Sequence, residues 1–251
     1  MLTKKIVKYI QSLSHKKFRD EEGCFIAEGP KIVSEFLGSE KFICKIICAE
    51  KDWLFENKIL LINISPENIF EIDEHWIERI SLLKTPNKVL AVFNKPGFSN
   101  EIILQNKISL MLDDIQDPGN LGTIIRNADW FGIENIICSG NCVDCYNPKV
   151  VQSTMGSLLR VNVLYNDLIS FIKKNNSINI YAAALSGISV YEIGKINEGI
   201  ILIGNESKGI HEDILKVAGN RITIPRFGHA ESLNAAVASG IILAEIRNPI
   251  K

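Results

Sequence analysis

Short apolar runs alternate with amphipathic stretches along the whole chain. Runs of β-type residues fall at "KIICA" (45–49), "ILLINI" (59–64), "VLAVF" (89–93) and "ISLMLDDI" (108–115). Further runs are "NIIC" (135–138), "INIYAAAL" (178–185), "GIILIG" (199–204) and "RITIP" (221–225). Each reads as a strand, and continuous apolar strands separated by helical stretches predict an α/β protein with a largely parallel sheet. "ESLNAAVASGIILAEI" (231–246) reads as a helix, because Leu233, Ala236, Val237, Gly240, Ile241 and Ala244 recur at helical spacing. Ser232 is its candidate N-cap.

The periodicity lapses at "NKPGFSNEIILQNK" (94–107), where Pro, Gly, Ser and Asn cluster. This predicts a first domain over residues 1–95, a linker over 96–107 and a second domain over 108–251, both domains of ordinary size. With 251 residues, 46% hydrophobic and 23% charged, the composition is that of a soluble globular protein. No apolar run approaches the roughly 20 residues that span a bilayer. The opening residues are too polar for a signal peptide, so a cytoplasmic protein without membrane contact is expected. The six cysteines are then expected to be reduced, and the four histidines suggest no metal site.

A net charge of −1 marks no polyanion binder as a whole. The distribution is more informative. Residues 1–19 carry Lys4, Lys5, Lys8, Lys16, Lys17 and Arg19 with no acidic residue. Such a run is either a solvated helix face or a phosphate-binding one.

Three loops that follow strands carry the candidate chemistry. The first, "DDIQDPGNLGTIIRNADWFG" (113–132), has Gly119 and Gly122 but not the third glycine of a dinucleotide fingerprint, and no Gly-Lys-Ser/Thr of a Walker loop. Read as a Pro-Gly turn into a helix, it clusters Asn120, Arg126 and Asn127 near the helix start. If Asn120 lies in the loop before the helix, it and Arg126 project into the crevice where open α/β sheets bind ligands. The second, "GNESKGI" (204–210), leaves many backbone N–H groups free around one carboxylate, Glu206. The third, "IPRFGHAESLNAA" (224–236), ends in a helix start with Ser232 and Asn234. Singly these are a turn, a polar loop and a capped helix. Together, at strand C-termini in one domain, they can line one crevice.

Their order resembles that of the SpoU (TrmH-type) RNA ribose 2′-O-methyltransferases of the SPOUT class. "DPGNLGTIIRNADWFGI", "LIGNESKGI" and "IPRFGHAESLNAAVASGI" are similar to the family's three motifs, and "NPKVVQSTMGSLLRV" (147–161) fits the pattern between the first two. "HKKFRDEEGCFIAEGPKIVSEFL" (15–37) is similar to the start of the family's N-terminal substrate-binding domain. The resemblance implies a ribosomal-protein-like α/β RNA-binding domain followed by a SPOUT α/β domain with a deep trefoil knot. It implies S-adenosylmethionine as cofactor and a homodimer formed through the knotted domain. It implies cofactor contacts, largely through backbone, at Leu202, Gly204, Asn205, Ile224, Pro225, Ser232 and Leu233. Asn205, Glu206, Ser232 and Asn234 order the pocket, and Arg126, supported by Asn120, is catalytic. With RNA as substrate, Lys16, Lys17, Arg19 and Arg126 become expected phosphate contacts. Ribosomal RNA is the expected substrate and tRNA the alternative. A non-enzymatic RNA-binding protein is the second class, and a cofactor titration separates the two.

The residues suit that chemistry. In-line displacement at a sulfonium methyl needs alignment and relief of the charge that develops on the hydroxyl. An arginine, which hardly deprotonates in proteins, serves better as a fork for phosphate or alkoxide than as a literal base. His229 is an alternative base in the third loop. Cys138, Cys142 and Cys145 also match the C-x-x-x-C-x-x-C spacing of radical-SAM enzymes. They depart from it at Asp144, where that family usually has an aromatic residue.

Overall fold

The computed structural model of the chain describes residues 2–97 and 102–248, so residues 98–101 of the expected linker lie outside the described residues. In chain order the elements begin α1 (Lys4–Ser12), α2 (Lys16–Glu22), β1 (Cys24–Glu28), α3 (Pro30–Leu37), β2 (Cys44–Ala49), α4 (Lys51–Glu56), β3 (Ile69–Glu71), α5 (Glu74–Ile80) and β4 (Val89–Asn94). There follow β5 (Ile108–Leu112), α6 (Pro118–Trp130), β6 (Asn135–Cys138), α7 (Pro148–Thr154), β7 (Asn162–Tyr165) and α8 (Leu168–Lys174). The last are β8 (Ile180–Ser189), β9 (Gly199–Ile203), α9 (Glu212–Ala218), β10 (Gly219–Thr223) and α10 (Ala235–Ile246).

These elements form two compact units, Met1–Phe98 with Tyr146–Leu159 and Ser99–Cys145 with Arg160–Lys251. The first holds a mixed sheet in the order β1-β4-β2-β3, antiparallel except where β2 meets β3. Every residue of β1 is buried because both of its faces are covered. On one face Ile26, Cys48 and Val92 meet Val7 and Ile10 of α1 and Ile77 and Ile80 of α5. On the other, Phe25 packs against Phe36, Phe42, Phe93 and Tyr146, the last with ring centroids 4.7 Å apart. Tyr146 leads into α7, which packs on β1, so the segment 146–159 belongs to this unit and not to the half of the sequence where it falls.

One expected strand of this unit is absent among the described residues, and one strand was not expected. "ILLINI" (59–64) is not a strand. Lys58–Leu61 forms a 3₁₀ turn with Ile59 and Ile62 exposed. The sheet position beside β2 is taken by the shorter β3, which carries a buried Phe70. A brief apolar run does not by itself distinguish strand from helical turn; available pairing decides. Conversely β1, bounded by Gly23 and Gly29 at positive φ, is a strand that the apolar runs above do not include.

The second unit is a parallel six-stranded sheet in the order β10-β8-β9-β5-β6-β7. Its central strands β5 and β9 are buried at all five positions each, which explains their continuous apolar runs. One core gathers Met111, Ile137, Ala182 and Leu202 under Leu168 and Ile172 of α8 and Ile214 and Ala218 of α9. Elsewhere in the unit α6 and α10 pack on each other. The parallel strands point their C-terminal ends the same way, which places the loops after β5, β9 and β10 along one edge.

Candidate active site

The chain after β5 turns through Asp114, at φ +58°, and enters α6. Asp117 is the N-cap, with Oδ1 accepting from the Asn120 N–H at 2.9 Å, and Pro118 occupies the first helical position. The Pro-Gly pair is therefore the first turn of the helix and not a turn before it. Gly119 sits where a Cβ would stand 2.9 Å from the Asp117 carboxylate. Asn120 lies inside the helix, contrary to the condition set above for its sharing a crevice with Arg126. Six residues separate the two, about 9 Å along the axis.

The loop after β9 closes tightly. A Cβ on Gly204 would lie 2.4 Å from the backbone of Gly209 and Ile210, so only glycine fits there. Asn205 and Gly209 exchange both backbone hydrogen bonds. Asn205 Oδ1 accepts from the N–H groups of Ser207 and Lys208, and its Nδ2 donates to the Asp114 carbonyl at 2.9 Å. Asn205 thus shapes its own loop and fastens it to the loop after β5. A second tie runs beside it. The buried Asp113 Oδ2 accepts from both the backbone N–H and Nδ1 of His211, each at 2.8 Å. That carboxylate raises the His211 pKa above the ordinary histidine value.

The third loop brings a correction and a connection. The N-cap of α10 is Asn234 and not Ser232: Asn234 Oδ1 accepts from the N–H groups of Ala236 and Val237. Its Nδ2 donates to Asn120 Oδ1 at 2.9 Å, and Asn120 Nδ2 donates to Glu206 Oε1 at 2.5 Å. One hydrogen-bonded chain, Asn234 to Asn120 to Glu206, therefore joins all three loops. It sets the Glu206 carboxylate near the N-terminal end of α6, where the helix dipole favours negative charge. Asn127, a turn or two further along α6, donates to the Ala236 carbonyl and to Ser239 Oγ, both at 2.9 Å. A groove of about 460 Å³ lies here, lined by Asn120, Thr123, Asn127, Asn234, Val237 and Ile241 among others.

The remaining candidates fall outside this chain of bonds. Arg126 is exposed and makes no hydrogen bond or ion pair among the described residues. Ser232 and His229 lie in the exposed stretch of the third loop. Leu202 is buried in the core of the second unit, in register with Met111 of β5 and Ala182 of β8. In the first unit Lys16 and Lys17 are exposed, with Lys17 3.8 Å from Glu21. Arg19 is not a phosphate contact. It is 1% exposed, and its Nη1 donates to the carbonyls of Leu13 and Ser14 at 3.0 and 2.8 Å, closing the C-terminal end of α1. Cys138, Cys142 and Cys145 are all buried. Hydrogen bonding to Cys138 lowers the Cys142 pKa to about 7. Among the described residues no group of His, Cys, Asp or Glu is arranged to hold a metal ion.

The edge formed by these loops fits S-adenosylmethionine in its donor set. Residues 224–233 make no backbone–backbone hydrogen bonds among the described residues, and apart from the Ile224 and Ala230 carbonyls, which accept from Thr223 Oγ1 and Arg226 Nη1, their N–H and C=O groups are open to a ligand. Ile224 and Pro225 are half-buried and Leu233 is exposed, which supplies apolar cover beside them. Gly204 and Asn205 are held rigid on the other side of the edge. Asp117 and Asp113 went without a role in the sequence, and Asn127 was placed in the cluster at the helix start without its bonds to α10. Only Asp117 carried a usable signal, an N-cap residue directly before a proline.

The SpoU rRNA Methylase family model matches residues 107–244, and the MRM3-like substrate binding domain matches residues 4–91. The chain is 29% identical to the 23S rRNA (guanosine(2553)-2′-O)-methyltransferase RlmP of Bacillus subtilis, covering 96% of this chain and 95% of the relative. Among solved structures it is similar to a putative RNA methyltransferase of the TrmH family from Porphyromonas gingivalis, with 33% identity, a TM-score of 0.85 and 98% of each chain covered. It is also similar to an AdoMet-bound rRNA methyltransferase from Sinorhizobium meliloti, with 32% identity, a TM-score of 0.87, and 100% of this chain and 97% of that one covered.

Proposed function

The chain belongs to the SpoU rRNA methylase family, and from that premise we propose that it transfers a methyl group from S-adenosylmethionine to a ribose 2′-hydroxyl of 23S ribosomal RNA. The observation that carries this reading is the bond chain Asn234–Asn120–Glu206, which draws three separated loops into one site while Arg126 on the same helix has no partner among the described residues. When bound, S-adenosylmethionine supplies a methyl group on a positively charged sulfur. The rest of the work falls to the protein. The loops at 204–210 and 224–234 hold the cofactor, and the asparagine chain fixes their spacing. Arg126 grips an RNA phosphate with its planar fork and stabilises the 2′-oxygen as its proton passes to solvent and the methyl group goes to the oxygen, which leaves the cofactor as a neutral thioether.

The proposal extends to topology and assembly. β10 lies at one edge of the sheet, yet α10 returns to pack on α6, so residues 224–234 carry the chain back along the strand ends. That path supports the trefoil knot implied by the family resemblance. Phe227, Leu233 and Val237 are exposed apolar side chains in the same region, which supports a homodimer formed there.

A calorimetric titration with S-adenosylmethionine, paired with methyl transfer to 23S rRNA, tests the reading. Arg126→Ala is expected to keep cofactor affinity and lose transfer by about a hundredfold or more, the range for removing one charge-stabilising group. Arg126→Lys recovers little, because it lacks the fork. Full transfer by either variant contradicts the role of Arg126. An absence of cofactor binding in the wild type favours a non-enzymatic RNA-binding protein instead.

A further inference from the structure

Asp129 lies three residues beyond Arg126 on α6, a spacing at which helical side chains meet. An unengaged carboxylate there would pair with the Arg126 guanidinium, or repel a phosphate approaching it. The structure shows it engaged elsewhere. Arg160, at the entry to β7, donates Nε to both Asp129 oxygens at 2.9 Å and Nη2 to Oδ2 at 2.8 Å. This is the bidentate pairing that an arginine fork makes with a carboxylate. Arg126, by contrast, has no ion pair among the described residues.

We propose that Arg160 is a positioning residue: by occupying Asp129 it keeps Arg126 unpaired and removes the net negative charge one helical turn away. Arg126 is then available to RNA phosphate without first breaking an internal pair. The proposal rests on the phosphate-binding role given to Arg126 above. It assigns Arg160 no contact with substrate or cofactor. Its effect is modest by nature, since an exposed ion pair shifts an equilibrium by up to about fivefold.

The test compares wild type, Arg160→Ala and the double variant Arg160→Ala/Asp129→Asn in the full chain. Affinity for deproteinised 23S rRNA is measured at low and high salt, and transfer is measured alongside. Arg160→Ala is expected to bind RNA about fivefold more weakly at low salt, with the defect shrinking at high salt as charge is screened. Removing the freed carboxylate in the double variant restores affinity, while cofactor affinity stays constant throughout. If Arg160→Ala fails to fold, the neutral Arg160→Gln with and without Asp129→Asn makes the same comparison. Wild-type affinity in the single variant overturns the proposal, as does a double variant no better than the single. A wild type that binds RNA but transfers nothing contradicts the methyltransferase reading alone, and the order of the three affinities still decides the role of Arg160.

Discussion

Two arginines show how little a residue type says about its task. Arg19 and Arg126 both stand in sequence contexts that suggest phosphate. Arg126 is exposed and has no partner among the described residues, and Arg19 is buried against the carbonyls that end α1. Losing a buried charged donor strands those carbonyls, a cost of about 1.5–3 kcal/mol. Arg19→Ala is therefore expected to lower stability by about that amount in urea unfolding, while the folded protein keeps its RNA affinity. Lys16→Ala with Lys17→Ala should do the reverse, weakening RNA binding and flattening its salt dependence at unchanged stability. RNA affinity that falls with Arg19 alone, at full stability, would return it to the interface.

At the scale of elements, the strands of the second unit and their parallel character were legible because its central strands are buried on both faces, whereas their order in the sheet was not. Continuous apolar runs then have no other explanation. The helix at the C-terminus was equally clear, but its start was not. Ser232 and Asn234 are both good capping residues, and only the bonds to Ala236 and Val237 decide for Asn234. The start of α6 was misread similarly. Pro118 suits both a turn and the first position of a helix, and Asp117 as cap settles it. Failures in the first unit have a different cause, since pairing partners there are set by contacts distant in sequence. The cap at Asn234 serves two ends, which can be separated. Asn234→Ala removes both and should cost about 1 kcal/mol of stability together with cofactor affinity. Asn234→Asp keeps the cap but cannot donate to Asn120, so stability should hold while methyl transfer falls. Transfer at the wild-type level in the Asp variant would remove the asparagine chain from the working site.

For the molecule as a whole, the division of labour follows from the two units considered separately. The first presents exposed basic side chains on short helices over a mixed sheet. The second collects three loops at the C-terminal edge of a parallel sheet, joined by side chains 86 and 114 positions apart in sequence. The motifs that build this site could be recognised in the sequence, and their order pointed to a family. The bonds between them could not, because sequence spacing gives no distance between loops. The aromatic packing of Tyr146 on Phe25, which gathers segment 146–159 with the first unit, was not legible either. The central claim is that this chain methylates a ribose 2′-oxygen of 23S rRNA and that Arg126 is required. It is tested most directly by mapping 2′-O-methyl positions, which resist alkaline cleavage, in rRNA from cells with and without the gene. The account predicts that a methylated site disappears with the gene, returns with the wild-type copy and stays absent with Arg126→Ala. An unchanged methylation map, or full restoration by Arg126→Ala, would contradict it.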